Sequence, residues 1–558
     1  MKKIAVFVWC FILVLLLIPC ALSESITDLW VSLDGSKGTD AISWYQAENK
    51  KYTYYLFLPG GVDISSLQIG FSGTDTITVQ GKKVHNGDYA DFLKPGAKYT
   101  VTAGKKYTLT VMQGSPGYPA VYITTESGKL TKIHKNKENK EPGELVFVAA
   151  DGTVEYDGGL KYIKMRGNSS TTFKKKNYQI KLLNGTDLAG MGKSKTWVLT
   201  GNSRDKSLLR NQITLDMAEY AGLDYTPEHV FAELYINHEY MGLYLFGEKP
   251  MVDEDRVDIT DLEELTEEIN GKDLSDYSIV GSKTPQPGKY KAYSIPNEPE
   301  DITGGYLVEF ESYSIRYKDT ASAYHTTRKN TLSVKSPEYC SAAQMEYISK
   351  YMQGFENAIF AADGKDPDSG KHYSEFVSLD SLVKKYLIEE VSKNYDGNSS
   401  SMFFYKDRDA ADPMMYAGPC WDYDSAYASY AREDNAKKVL TGKKLWIGDA
   451  TGAKYWWPAL YKQPDFYAAM TEQYQLVFRN AMNILLGKET DDTGILYSID
   501  DYAERIKNSA EMNFARWPIM KNASTVAKTG DTFEKNIVFL KNFITEREDF
   551  LNELWLGE

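Results

Sequence analysis

Between Leu379 and Asp424 the apolar pattern changes period, and this stretch constrains the fold more than any other. Leu379, Leu382, Tyr386 and Leu387 recur at helical spacing. The helix ends near Asn394-Tyr395-Asp396-Gly397. Met402-Phe403-Phe404-Tyr405 and Met414-Met415-Tyr416 then read as two strands around the turn-like segment 407–413. A hairpin this short folds its ends back together. Asp396 then stands at the entry of the first strand, and Asp422 and Asp424 just past the end of the second. Three carboxylates converge on one site. Packed carboxylates repel and shift toward the neutral form unless a cation lies between them. Oxygen-only donors favour Mg²⁺ or Mn²⁺ over zinc. The alternative for these three residues is a set of solvated turn aspartates.

The residues upstream supply anion-binding chemistry. Strands around 145–149 and 160–165 lead to Arg166-Gly167-Asn168-Ser169-Ser170, and a further strand follows over Lys176–Leu182. A polar turn between strands can present backbone N–H and hydroxyl donors to phosphate. Lys176, Tyr178 and Ile180 alternate onto one face, so a lysine beside apolar neighbours points inward and wants an anion. The alternative is a lysine of the Lys174-Lys175-Lys176 run snorkelling to solvent. Ser207 to Ala221 has a helical period, with Ser207 as N-cap and Gly222 as stop. Segments 230–236 and 240–246 form a hairpin about Asn237-His238-Glu239. A polar loop is expected over roughly 262–300. Gly304 to Phe310 reads as another strand, and Met345, Ile348, Met352, Phe355 and Ile359 as another helix.

The rest of the chain has a different character. Residues 24–128 carry short strands between Gly-rich turns, the pattern of a β-sandwich. Such a module binds carbohydrate or a partner, or serves only as a spacer. Residues 129–143, with five lysines and Pro142, read as a linker. Mixed α and β pattern fills 144–485, and 486–558 is helical, with Asp531 or Thr532 capping the last helix. Residues 1–23 run from Lys2-Lys3 through an apolar stretch to Ala21-Leu22-Ser23, the layout of a secretory signal peptide. No other run approaches ~18 apolar residues, so no stable membrane span is expected. The formal net charge is −13, and loss of Lys2 and Lys3 takes it to −15. A protein so acidic lacks the basic footprint that generic nucleic-acid binding requires. The six histidines are scattered, which argues against a His-based metal centre. Beyond residue 23 only Cys340 and Cys420 remain, either as one disulfide or as two buried thiols.

The same motifs resemble the CotH family of secretory and spore-coat protein kinases. They are Met165-Arg166-Gly167-Asn168-Ser169-Ser170, Lys175-Lys176-Asn177-Tyr178, Trp197 to Asn202 with Asp205, and Leu208-Leu209-Arg210-Asn211. Tyr235 to Tyr244 with Glu248, Gly304 to Phe310, Asn394 to Gly397 and Trp421 to Asp424 complete the ordered set over about 160–430. The resemblance implies an α+β atypical protein-kinase-like domain over 144–485 with 486–558 as its helical extension, behind the amino-terminal β-sandwich. It implies ATP and Mg²⁺ or Mn²⁺ as cofactors, and a secreted or cell-surface protein as the phosphate acceptor. Asp396 matches the catalytic-loop aspartate; Asp422, with Asp424 close by, matches the metal aspartate. Arg166, Asn168 and Ser169 would line the phosphate loop. Lys176 would contact the nucleotide phosphates, with Lys175 as the alternative. Arg210 and Asn211 would pack beside the site, as functional or as structural residues.

One position departs from the family pattern. Some members place an asparagine five residues after the catalytic-loop aspartate, where this chain has Ser401, with Asn398 nearby. The alternative function is therefore a kinase-like surface or matrix binding protein with weak or no turnover. A third reading, a carbohydrate-active enzyme with paired carboxylates, leaves the Arg-Gly-Asn-Ser-Ser turn and the lysine strand without a role.

Overall fold

The computed structural model describes residues 25–311, 314, 316–450, 454–521 and 530–558. The signal-peptide expectation for 1–23 lies outside them. The chain divides into two compact units, one formed by residues up to 56 with 63–111, the other by 57–62 with 112–558. The first unit is strand-rich. Asp28–Ser32 pairs antiparallel with Ile42–Ser43 and Gln68–Ser72, and longer strands such as Lys98–Ala103 and Lys105–Gln113 belong to a second antiparallel sheet.

The second unit is mixed α/β with a helical carboxy-terminal region. It begins earlier than the sequence suggests. Its first strand, β1 (Ala120–Thr125), pairs with β2 (Glu141–Val148) and, in parallel, with β6 (His229–Ile236). The expected linker 129–143 is built into this unit as well. It holds a short helix, Thr131–Lys135, whose Ile133 is fully buried, and the start of β2. One apolar residue per turn in a lysine-rich segment gives too little periodicity to reveal it.

Seven strands close into a barrel: β1, β2, β3 (Val154–Arg166), β4 (Asn177–Asp187), β5 (Lys193–Thr200), β7 (Glu239–Gly247) and β6. Barrel strands alternate inside and outside. Ile163, Tyr178, Ile180, Trp197, Leu199 and Phe246 fill the interior and are wholly buried. Truncating a packed aromatic of this kind to Ala typically removes about 3–5 kcal/mol. The hairpin β6–β7 turns at Asn237 and His238, both at positive φ, as the sequence indicates.

A seven-stranded sheet follows, in the order β8 (Ile279–Gly281), β9 (Lys289–Tyr293), β11 (Ser322–His325), β12 (Thr331–Ser336), β10 (Tyr306–Glu311), β13 (Met402–Lys406) and β14 (Met415–Ala417). Much of the segment expected as a polar loop is structured. Leu262–Asn270 is a helix capped by Asp261 and stopped by Gly271 at φ 64°, and β8 and β9 follow it. The helices Arg210–Tyr220, Ala342–Phe360, Leu379–Val391, Ile499–Arg516 and Phe533–Leu556 share one large core with this sheet. Ser378 caps the third and Thr532 the last. Cys340 and Cys420 are buried free thiols.

Candidate active site

A cleft of about 1440 Å³ is lined on one side by the outer face of the barrel and on the other by the seven-stranded sheet and the segments around Asp396 and Asp422. The barrel wall follows from strand parity. In β3 to β5 the residues facing away from the interior are Lys164, Arg166, Gln179, Lys181, Thr196 and Val198. Arg166 is registered against Asn177 at the loop end of the β3–β4 pair. Its guanidinium lies over the Trp421 ring at 4.7 Å, and its charge faces Asp422. Gly167 turns the chain at φ 101°, and Asn168 and Ser169 line the cleft beyond it. The side-chain oxygen of Asn168 accepts from Lys137 at 3.3 Å.

Neither lysine expected at the phosphates reaches the cleft. Lys176 shares parity with Tyr178 and Ile180, as its sequence pattern indicates, but that parity belongs to the barrel interior. Its ammonium turns back to the Thr171 carbonyl at 2.7 Å, and the residue is not among those lining the cleft. Lys175 is 2% exposed, donates to the Leu243 carbonyl and to Asn513 Oδ1 at 2.6 and 2.8 Å, and sits over the Tyr244 ring. The lysines that do line the cleft include Lys164, Lys181 and Lys249. Enclosure, with Arg166 and Lys164 close by, pushes the Lys249 ammonium down to about 8.

Asp396, Asp422 and Asp424 all line this cleft. Burial and the neighbouring Asp424 push the Asp396 carboxyl up to about 6, against the pull of Arg204. Asp422 faces the cleft solvent while protein closes around it. That enclosure, with Asp424 and then Asp396 adding repulsion, raises it well above the ordinary carboxylate range. Enclosure raises Asp424 too, again against Arg204. Asp422 holds φ 68° and Ser401 φ 59°, backbone that L residues adopt sparingly and that clusters at functional sites. Among the described residues no three acidic, His or Cys side chains stand close enough to hold a metal ion by themselves.

A buried polar network fixes the two aspartate segments. Glu389, 1% exposed, accepts from Lys385 at 2.6 Å and from the Tyr423 hydroxyl at 2.8 Å on Oε1. Its Oε2 accepts from Asn394 Nδ2 at 2.9 Å, and Asn394 Oδ1 accepts the Asp396 N–H at 3.3 Å. A Cβ on Gly397 would lie 2.8 Å from that Oε2, so the motif glycine makes room for the carboxylate. On the other side Asn211 Oδ1 accepts the Tyr423 N–H at 2.7 Å. Arg210 donates to the carbonyls of Ala426 and Tyr427 and pairs with Asp205. Arg210 and Asn211 thus clamp the chain around Asp422 and Asp424 from the helix Arg210–Tyr220.

Two features escape sequence reading. Arg204 lines the cleft between Phe173 and Tyr430. Glu309 and Glu311 alternate with apolar residues along β10 and face the cleft, Glu309 paired with Lys335 at 2.6 Å and Glu311 with Arg316 at 3.1 Å. Two acids at i and i+2 in an otherwise apolar strand are the signal that could have marked them. Asn398 turns its amide to the Ile447 carbonyl at 3.1 Å, away from the position that Ser401 occupies on the cleft wall.

A family model described as "CotH kinase protein" matches residues 163–551, most of the chain. The chain belongs to the CotH family. No curated protein matches it. A crystal structure described as a "putative glycoside hydrolase" from Bacteroides thetaiotaomicron is 14% identical, over 59% of this chain and 88% of that one. Its TM-score of 0.13 gives it no weight.

The described helices include none long and apolar enough to cross a membrane.

Proposed function

We propose that the protein is an exported, metal-dependent protein kinase that transfers the ATP γ-phosphoryl group to Ser or Thr hydroxyls of secreted or surface proteins. The observation that carries this reading is the single cleft shared by Asp396, Asp422, Asp424 and Arg166. Export rests on the composition of residues 1–23.

The donor set suits a hard divalent cation. Asp422 and Asp424 are both raised chiefly by enclosure, and Asp424 adds repulsion at Asp422, the condition that an added cation relieves. Mg²⁺ is usually held by one or two carboxylates with substrate phosphates and water, so two aspartates suffice. Asp422 and Asp424 would hold the ion, which when bound neutralises charge on the phosphates. Arg166, which lines the cleft with its guanidinium over Trp421, would bind phosphate beside them, and Lys249 and Lys164 would extend the positive wall. Asp396 would accept the acceptor hydroxyl's proton. The acceptor oxygen bonds to phosphorus, the bond to the bridging oxygen breaks, and ADP leaves with that electron pair. A carboxyl pushed up to about 6 is ionised at neutral pH yet a stronger base than an ordinary aspartate.

Ser401 supports a second reading, a binding protein without turnover, because a neutral hydroxyl is a weak metal ligand. Transfer of labelled phosphate from ATP, with and without Mg²⁺ or Mn²⁺, decides between them. Metal-dependent labelling of Ser or Thr supports the kinase, and a silent wild type refutes it.

A further inference from the structure

Arg204 lines the cleft with its guanidinium unbonded among the described residues. Its guanidinium lies between the rings of Phe173 and Tyr430, 4.5 and 4.6 Å from their centroids. Among the described residues it makes no hydrogen bond and no ion pair, in contrast to Arg210, which spends its donors on Asp205, Ser207 and two carbonyls. A guanidinium can pack on aromatic rings through its faces and keep its N–H donors for an anion. Phe173 comes from the segment after Arg166 and Tyr430 from the segment after Asp424, so two stretches distant in sequence contact this one side chain. Its charge acts on Asp396 and Asp424, while Arg166 acts on Asp422. The two arginines therefore serve different ends of the acidic site.

A guanidinium needed only to neutralise Asp396 or Asp424 would bond one of them. Lining the cleft unbonded, with its charge acting on both, it is set for an anion that arrives with the substrate. A planar fork of donors matches two oxygens of one phosphoryl group. We propose that Arg204 binds the terminal phosphoryl group of a nucleoside triphosphate, between the acceptor side at Asp396 and the metal side at Asp424. This rests on the kinase reading. It makes Arg204 the residue that tells a triphosphate from a diphosphate.

The test is the affinity of ATP and of ADP, each with Mg²⁺, for the full chain and for Arg204→Ala, Arg204→Gln and Arg204→Lys, by calorimetry. A charged hydrogen bond contributes about 1.5–3 kcal/mol, so Arg204→Ala and Arg204→Gln should weaken ATP by ~10–100-fold. ADP should change by less than about 3-fold, since it lacks the group that Arg204 holds. Arg204→Lys keeps the charge but not the fork, and should recover part of the loss. Arg204→Gln keeps a polar side chain between the rings and guards against a fold defect in the alanine variant. ATP and ADP weakening together, or neither changing, would overturn the assignment while leaving the kinase reading intact. A wild type that binds neither nucleotide would overturn the kinase reading before any variant is compared.

Discussion

Tyr423 donates its phenolic hydrogen to Glu389 at 2.8 Å, and through that bond the segment carrying Asp422 and Asp424 is tied to the helix that leads into Asp396. The other oxygen of the same carboxylate holds Asn394. One buried group thus sets the separation of the two aspartate loops, with Lys385 balancing its charge.

Removing one partner of such a buried pair leaves an uncompensated charge, typically about 3–5 kcal/mol of destabilisation. Glu389→Ala should lose stability on that scale. Tyr423→Phe, which removes only one hydroxyl, should lose about 1–3 kcal/mol. Denaturant unfolding followed by fluorescence measures both. Equal stability of Glu389→Ala and wild type would refute the network's role.

Asp422→Ala should abolish metal-dependent ATP binding while the fold persists. Asp396→Asn should lower the transfer rate by ~10²–10⁴-fold, the usual share of a positioned general base, and change ATP affinity less than Asp422→Ala does. Single-turnover transfer beside an ATP titration separates the two. Matching losses in both assays would make Asp396 a metal ligand rather than a base.

The raised carboxyls also predict a stability profile. Asp396 is 3.8 in an ordinary setting and about 6 here, with Asp422 and Asp424 raised as well. The folded state therefore holds more protons than the unfolded one in this window, so stability falls as pH rises from near 4 through 6. Asp422→Asn should raise the metal-free unfolding temperature at neutral pH and lose that advantage near pH 4. Added Mg²⁺ should stabilise wild type more than the variant. A variant no more stable than wild type at pH 7 would contradict the electrostatic account.

Lysine substitutions separate the cleft wall from the barrel interior. Lys249→Ala should weaken ATP binding, whereas Lys176→Ala should leave it within about 3-fold. Lys175→Met should act on stability, because its ammonium serves the Leu243 carbonyl and Asn513. Isothermal titration of each variant checks the order, and a larger loss in Lys176→Ala than in Lys249→Ala would restore the expectation drawn from sequence.

The local elements of the site were legible. The helix Leu379–Val391, the hairpin β13–β14 and the aspartates around them follow from apolar spacing and turn residues alone. The family followed from ordered motifs. The cleft lysine did not, because alternation tells which residues share a face and not which face meets the cleft. Lys176 shows this: its parity is right and its side is that of the barrel interior. Arg204, Glu309 and Glu389 were hidden for a related reason. Each gains meaning from a neighbour distant in sequence: Tyr430, Lys335 and Tyr423 respectively. The helix Leu262–Asn270 was missed because acidic residues dominate it, although Asp261 and Gly271 mark both ends.

Alternation in β3 to β5 also gives the molecule two independent alphabets on the same strands. Positions such as Tyr178, Ile180 and Trp197 are spelled by volume, and positions such as Gln179, Lys181 and Thr196 by charge and hydrogen bonding. A lineage can rewrite what the cleft attracts, one substitution at a time, without disturbing what keeps the barrel closed. A one-residue deletion within a strand has no such latitude, since it transposes the two alphabets and sends lysines toward the interior.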